Sequence, residues 1–226
     1  MIYITGDTHI PIDVGSLLLY LKENELKPND FLIIAGDTGL MWKNNDYYKT
    51  WLNWFNQHSF TTIFVDGNHE NFTYLNNLEI EIWNGGKVHK LSKKVIHLMR
   101  GQIFNIDGFK FFTFGGGNSL DKLNRMTDVT WWREEEPCVS EYEEGIQNLI
   151  LHDYKVDYII THCCSKEMFE KLTKGELTPR YTGINKFFTQ IEKSISFKHW
   201  YFGHYHYDKA IDDKHTCLFN SIITIK

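Results

Sequence analysis

The sequence predicts an α/β fold in which two β-sheets pack face to face with helices on the outside. Three observations predict it. A strand-length apolar run that breaks into a carboxylate, an amide or an imidazole recurs five times along the chain. Through residue 66 these runs alternate with helical segments, the pattern of parallel strands joined by right-handed crossovers. From 88 to 115 the texture changes to strands alone, so a second β region follows the first.

Taken in order, Tyr3–Thr5 is a short β-prone run that ends in Gly6-Asp7-Thr8-His9. Residues Val14–Asn24 carry Leu17, Leu18, Tyr20 and Leu21 at helical spacing, and Lys27-Pro28-Asn29-Asp30 stops that helix. Phe31–Ala35 is the next strand and leads into Gly36-Asp37-Thr38-Gly39. A second helix covers Tyr47–His58, and its broad apolar face of Trp51, Leu52, Trp54 and Phe55 is read as packing against a sheet. Thr62–Val65 then leads into Asp66-Gly67-Asn68-His69-Glu70. Parallel strands deliver Asp7, Asp37 and Asn68 to the same edge, where open α/β sheets bind their ligands.

Val95–Met99 and Gln102–Ile106 read as strands, and Asp107-Gly108 is a two-residue hairpin signal before Phe109–Phe114. Ser140 and Glu143 have the spacing of a capping box, with an apolar helix face following at Ile146, Leu149 and Ile150. Val156–Ile160 runs into Thr161-His162, and Trp200–Phe202 into Gly203-His204-Tyr205-His206. Phe187, Ile191 and Ile195 mark a further helix, and Lys209–Lys226 reads as a hairpin turning at Asp212-Asp213-Lys214. Between these elements residues 115–137 form a long loop with Trp131, Trp132 and the run Glu134-Glu135-Glu136. Loops of that length in a compact domain carry function or are disordered. The tryptophans are read as pins that hold the loop to the body, or as a substrate wall, and the glutamates as a solvated face.

A hydrophobic content of 42%, with 16 Phe and 7 Trp, is enough for a sizeable core. With no linker, repeat or low-complexity run, 1–226 is read as one domain carrying a loop insertion around 115–137. No apolar run reaches the ~20 residues of a membrane span, and the chain enters a strand without a secretion signal. Cys138, Cys163, Cys164 and Cys217 lack metal-finger spacing and are expected as reduced thiols, hence a cytoplasmic location. A formal charge of −5 argues against a protein that coats nucleic acid.

The chemistry lies at the gathered strand ends. Asp7 and His9 lie two apart, as do His204 and His206, so extended segments would point each pair the same way. Asp37 has two oxygens and can bridge two ions, and Asn68 is a neutral oxygen ligand. Mixed oxygen and nitrogen ligands without a thiolate suit Mn²⁺, Fe or Zn²⁺. Two such ions ~3.5–4 Å apart would activate a bridging water and clamp a phosphoryl group. Histidines 58, 89, 97, 152, 199 and 215 are read as structural.

Gly6-Asp7-Thr8-His9, Gly36-Asp37, Gly67-Asn68-His69-Glu70, Thr161-His162 and Gly203-His204-Tyr205-His206 together resemble the ordered motifs of the calcineurin-like metallophosphoesterases. The resemblance implies a four-layer α/β/β/α sandwich of two mixed sheets. It implies one ion on Asp7, His9, Asp37 and His206 and a second on Asp37, Asn68, His162 and His204, with Mn²⁺ expected first. It also implies that His69 contacts the phosphate and assists the leaving oxygen after a metal-bridging hydroxide attacks phosphorus in line. The 115–137 stretch looks like that of small phosphoesterases of bacteria and their phages. In the phosphoprotein phosphatase branch the second motif ends Asp-Arg-Gly, where this chain has Leu40, Met41 and Trp42, and Ile10 replaces a glycine in the first motif. Arg125, Arg133 or Arg180 is expected to supply the missing arginine, with Asn118 as a further substrate-binding candidate.

The reading is therefore a dinuclear metal-dependent phosphoester hydrolase acting on a small phosphoester or nucleotide. The alternatives are a nuclease of the same fold, a serine/threonine phosphoprotein phosphatase and a non-catalytic scaffold. A scaffold would be expected to lack some ligands, whereas every ligand position here is filled.

Overall fold

The computed structural model describes residues 1–40, 42, 46–177 and 181–225. Strands β1 (Ile2–Thr5), β2 (Phe31–Ile34) and β3 (Thr61–Phe64) run parallel, and the crossovers between them contain α1 (Gly15–Glu23) and α2 (Asp46–Gln57). After the single turn α3 (Phe72–Leu75), β4 (Ile80–Trp83), β5 (Gly86–Lys90) and β6 (Val95–Leu98) form an antiparallel meander whose last strand lies parallel beside β3. Next come β7 (Gln102–Ile106) and β8 (Phe109–Phe114), the hairpin that Asp107-Gly108 predicts. Both turn residues have positive φ, 51° and 84°, as a two-residue type I′ turn requires.

The remaining elements are α4 (Val139–Leu151), β9 (Tyr158–Thr161), α5 (Lys166–Thr173), α6 (Gly183–Glu192), β10 (His199–Phe202), β11 (Lys209–Asp212), β12 (His215–Cys217) and β13 (Ile223–Ile225). The seven-stranded sheet has the order β13-β1-β2-β3-β6-β5-β4, and the six-stranded sheet β11-β12-β10-β9-β8-β7. Each mixes parallel and antiparallel pairs. Period-2 alternation gives both sheets two apolar faces. Ile2, Ile33, Ile63 and Ile96 of the first sheet meet Phe104, Phe111 and Ile160 of the second in a shared buried cluster. Tyr3, Leu32 and Phe64 point the other way, to Leu17 and Phe55 of α1 and α2. Phe112, Ile159 and Trp200 likewise point out to Leu149, Met168 and Phe188 of α4, α5 and α6. The order is helices, sheet, sheet, helices, so the expected four-layer α/β/β/α sandwich is what forms.

Three local expectations change. The tail is not one hairpin, because β13 leaves β11 and β12 and pairs antiparallel with β1 in the other sheet. Asp208 turns the chain there by accepting hydrogen bonds from the N–H groups of Phe219, Asn220 and Ser221. Helix α4 begins before Ser140: Glu141, not Glu143, reaches back, its Oε2 accepting from the Cys138 N–H at 2.7 Å. Arg100 grips the same carboxylate at 3.1 Å, which selects Glu141 for the helix start. Ile195 lies beyond the end of α6 but is buried against it. The four cysteines are unpaired thiols. Among the described residues no helix is long and apolar enough to cross a membrane.

Candidate metal centre

The carboxyl ends of β1, β2, β3, β9 and β10 lead directly to the motif residues, and the two sheets bring them to one place. His9 Nε2 lies 3.1 Å from Asp37 Oδ2. His162 Nε2 lies 3.4 Å from the same oxygen and 3.1 Å from Asn68 Oδ1. His204 Nδ1 is 3.2 Å from His162 Nε2, and His206 Nε2 is 3.6 Å from Asp7 Oδ2. Two groups of ligand-capable atoms, His9–Asp37–His69 and Asp37–His162–His204, each fall within 4.8 Å and share Asp37. His69 thus stands within ligand range of the first group.

The backbone makes this convergence in a different way from the extended i, i+2 spacing expected for Asp7/His9 and His204/His206. His9, Asp37, His204 and His206 all have left-handed backbone, with φ of 34°, 48°, 69° and 55°. The chain therefore turns sharply after β1, β2 and β10, whereas Asn68 and His162, after β3 and β9, do not take this left-handed backbone. Such a conformation is costly for a residue with a Cβ, and its concentration at one site is a mark of function. Gly67 has a steric role: a Cβ there would overlap Asp37 Oδ1, which instead accepts the His69 N–H at 2.7 Å.

Asp7 and Asp37 are almost fully buried, and among the described residues neither is paired with a lysine or arginine. Burial raises Asp7 to about 7, although His162 opposes the shift. Asp37 moves the other way: its histidine neighbours, His162 first, overcome the burial penalty and keep it well below the ordinary carboxylate range. Burial alone would lower His162, but Asp37 and Asp7 hold its proton and lift it to about 10. Burial takes His204 down to about 3. Two buried carboxylates whose only positive partner among the described residues is a histidine proton, which an ion can displace, form a donor set that fits a divalent ion.

A layer of partners holds these groups. His162 Nδ1 lies 2.8 Å from the Ala35 carbonyl, which points Nε2 toward Asn68 and Asp37. Asp13 Oδ2 is 2.9 Å from His9 Nδ1. Buried Glu70 accepts from the N–H and hydroxyl of Thr38, next to Asp37. The Asn68 amide donates to Ser119 Oγ at 3.2 Å, and Ser119 donates in turn to Glu135 Oε2 at 2.6 Å. Glu135 is therefore not part of a solvated face: it is fully buried, while Glu134 and Glu136 are exposed. Trp132 is also buried, its Nε1–H donating to Thr73 Oγ1, so it pins the loop.

Of the expected substrate-binding residues, Asn118 and Arg125 line a cavity of about 450 Å³ that also contains Asp37, Asn68 and His204. Arg133 is exposed and lines neither cavity at the site. Arg180 lies outside the described residues. The Arg125 guanidinium sits 3.2 and 3.4 Å from the two ring nitrogens of His69, and its Nε is 2.8 Å from Asp121. A neutral imidazole can accept only one of those contacts. Burial pushes His69 down to about 4, aided by Arg125 and opposed by Asp37. Asp13, Ser119, Asp121 and Glu135 were not anticipated. His9/Asp13 and Asp121/Arg125 each show i, i+4 spacing, a usable signal, whereas nothing local separates Glu135 from its neighbours.

The calcineurin-like phosphoesterase family model matches residues 1–208. The chain belongs to that family, and metal-dependent phosphoester hydrolysis is the activity that membership brings. No curated protein matches the sequence.

Proposed function

We propose that this calcineurin-like phosphoesterase hydrolyses a small phosphoester or nucleotide at a dinuclear centre. The observation that carries the reading is Asp37, a buried carboxylate common to two ligand groups. Asp7, His9, Asp37 and His206 would hold one ion, and Asp37, Asn68, His162 and His204 the other. Mn²⁺ suits this donor set, with Fe or Zn²⁺ also compatible. Such ions supply acidification of water and neutralisation of charge on the phosphoryl oxygens.

The chain's own groups do the rest. Arg125 stands beside His69 and offers a fixed positive charge to a phosphoryl oxygen, the part that the missing Asp-Arg-Gly would otherwise play. An anion entering between them would offset the Arg125 charge and favour a proton on His69, which then hydrogen-bonds the departing oxygen. Asp37 keeps His69 in place through its backbone N–H. Asn118 lines the same cavity and is positioned to donate to the bound ester.

The test is a metal-reconstituted assay with Mn²⁺, Zn²⁺, Mg²⁺ or none against p-nitrophenyl phosphate, its bis ester, cyclic nucleotides and single-stranded DNA. Asp37→Asn should abolish every metal-dependent activity. His69→Gln should retain the metals by elemental analysis and lose rate, most for poor leaving groups. Wild-type turnover in Asp37→Asn contradicts the mechanism.

A further inference from the structure

His69 walls two cavities of different character. One, of about 370 Å³, is apolar, with Leu40, Trp42, Tyr48 and Trp51 among its walls and His9 bringing it to the ligand cluster. The other, of about 450 Å³, is mixed, and Asn118, Arg125, Tyr181 and Asn185 line it together with Asp37 and His204. Both fall within the size range of small-molecule sites. A phosphomonoester has one substituent and fills one cavity. A phosphodiester has two, and phosphorus held at the shared cluster would send one into each.

The apolar cavity also selects its occupant. Trp42 and Trp51 both line it and are half-buried, so part of each indole is open to an occupant. Indole walls take planar rings by stacking.

We infer that the substrate is a phosphodiester with a planar aromatic substituent, a nucleobase or a simple aryl group, seated against Trp42 and Trp51, and with its second substituent in the mixed cavity. The inference rests on the phosphoesterase reading above and narrows it.

The experiment uses Mn²⁺-loaded protein and four esters with a common p-nitrophenolate leaving group. They are p-nitrophenyl phosphate, methyl p-nitrophenyl phosphate, bis(p-nitrophenyl) phosphate and thymidine 5′-p-nitrophenyl phosphate. The diesters with two ring-bearing arms should exceed the monoester in kcat/KM. Trp51→Ala should lower kcat/KM for those diesters about tenfold or more, the size of one lost stacking partner. Trp51→Phe should restore most of it, and inhibition by inorganic phosphate should stay unchanged in both variants, which excludes a general loss of structure. A thymidine arm faster than the second nitrophenyl arm identifies a nucleotide substrate, and the reverse a simple aryl ester. A monoester faster than every diester, or Trp51→Ala within twofold of wild type on the ring-bearing diesters, overturns the inference and leaves the hydrolase reading standing. Absence of metal-dependent turnover on all four, with no phosphate binding by calorimetry, overturns both.

Discussion

At the scale of single residues, the side chains that set the site's geometry include several that touch no ion or substrate. Asn68 illustrates this. An amide can present oxygen or nitrogen to a ligand cluster, and only its oxygen can ligate. Ser119 decides which, by accepting the amide N–H while donating its own hydroxyl proton to Glu135. Removing the hydroxyl in Ser119→Ala frees the amide to rotate and leaves Glu135 with the Ser119 backbone N–H at 2.9 Å. Loss of such an orienting partner typically costs ~10–100-fold in metal affinity or activity. Mn²⁺ titration by calorimetry should therefore show about tenfold weaker binding, with rate recovering as Mn²⁺ is raised. An affinity within twofold of wild type would mean that packing alone orients Asn68. Glu135 also shows where reading by residue type fails: three identical neighbours differ in burial because the 3-10 turn Arg133–Glu135 rotates one of them inward.

At the scale of elements, the strand ends at the site were legible because each joins two independent signals, an apolar run and a break into a polar ligand type. Two elements go unread although their signals are present. Asn84-Gly85 between Ile80–Trp83 and Gly86–Lys90 is a two-residue hairpin signal, and both residues take positive φ, 47° and 100°. Helix α5 places Met168, Phe169 and Leu172 on one buried face, and Ser165 caps the Met168 N–H. The β5–β6 pair shows what position in a sheet does to a histidine. His89 and His97 are directly opposite, with their Nδ1 atoms 3.1 Å apart, and His97 Nε2 lies 3.0 Å from Asp66. Burial, together with His97, lowers His89 to about 4. Because the folded value lies below the unfolded ~6.5, the unfolded chain binds more protons between the two, and stability falls as pH drops through that window. Discounted for solvent screening of the partly exposed ring, the stability that His89 loses from pH 7 to below 4 is on the order of 1–2 kcal/mol. Urea midpoints measured from pH 7 to 4 should decline more steeply in wild type than in His89→Gln, and parallel curves would refute the assignment.

At the scale of the whole molecule, the site is a seam between the two sheets. Asp7, His9, Asp37 and Asn68 follow strands of the first sheet, and His162, His204 and His206 follow strands of the second. A pair of ions held as proposed would tie the two sheets together at an edge where Asp7 and Asp37 of the first sheet lie against His162 of the second, and binding to the folded chain alone must stabilise it. At a hundredfold excess over Kd, each site adds ~2.7 kcal/mol. For a chain of this length each kcal/mol moves Tm by ~2–4 °C. Saturating Mn²⁺ should thus raise the melting temperature by roughly 5–10 °C for each ion bound, reversibly with EDTA. Asp37→Asn separates the linkage from nonspecific salt effects, because it removes the ligand common to both groups while leaving the cores on the outer faces of the sheets untouched. That variant should melt at the same temperature with and without Mn²⁺. An equal rise in both proteins would place the stabilising cation elsewhere on the surface and remove the seam as the centre of the enzyme.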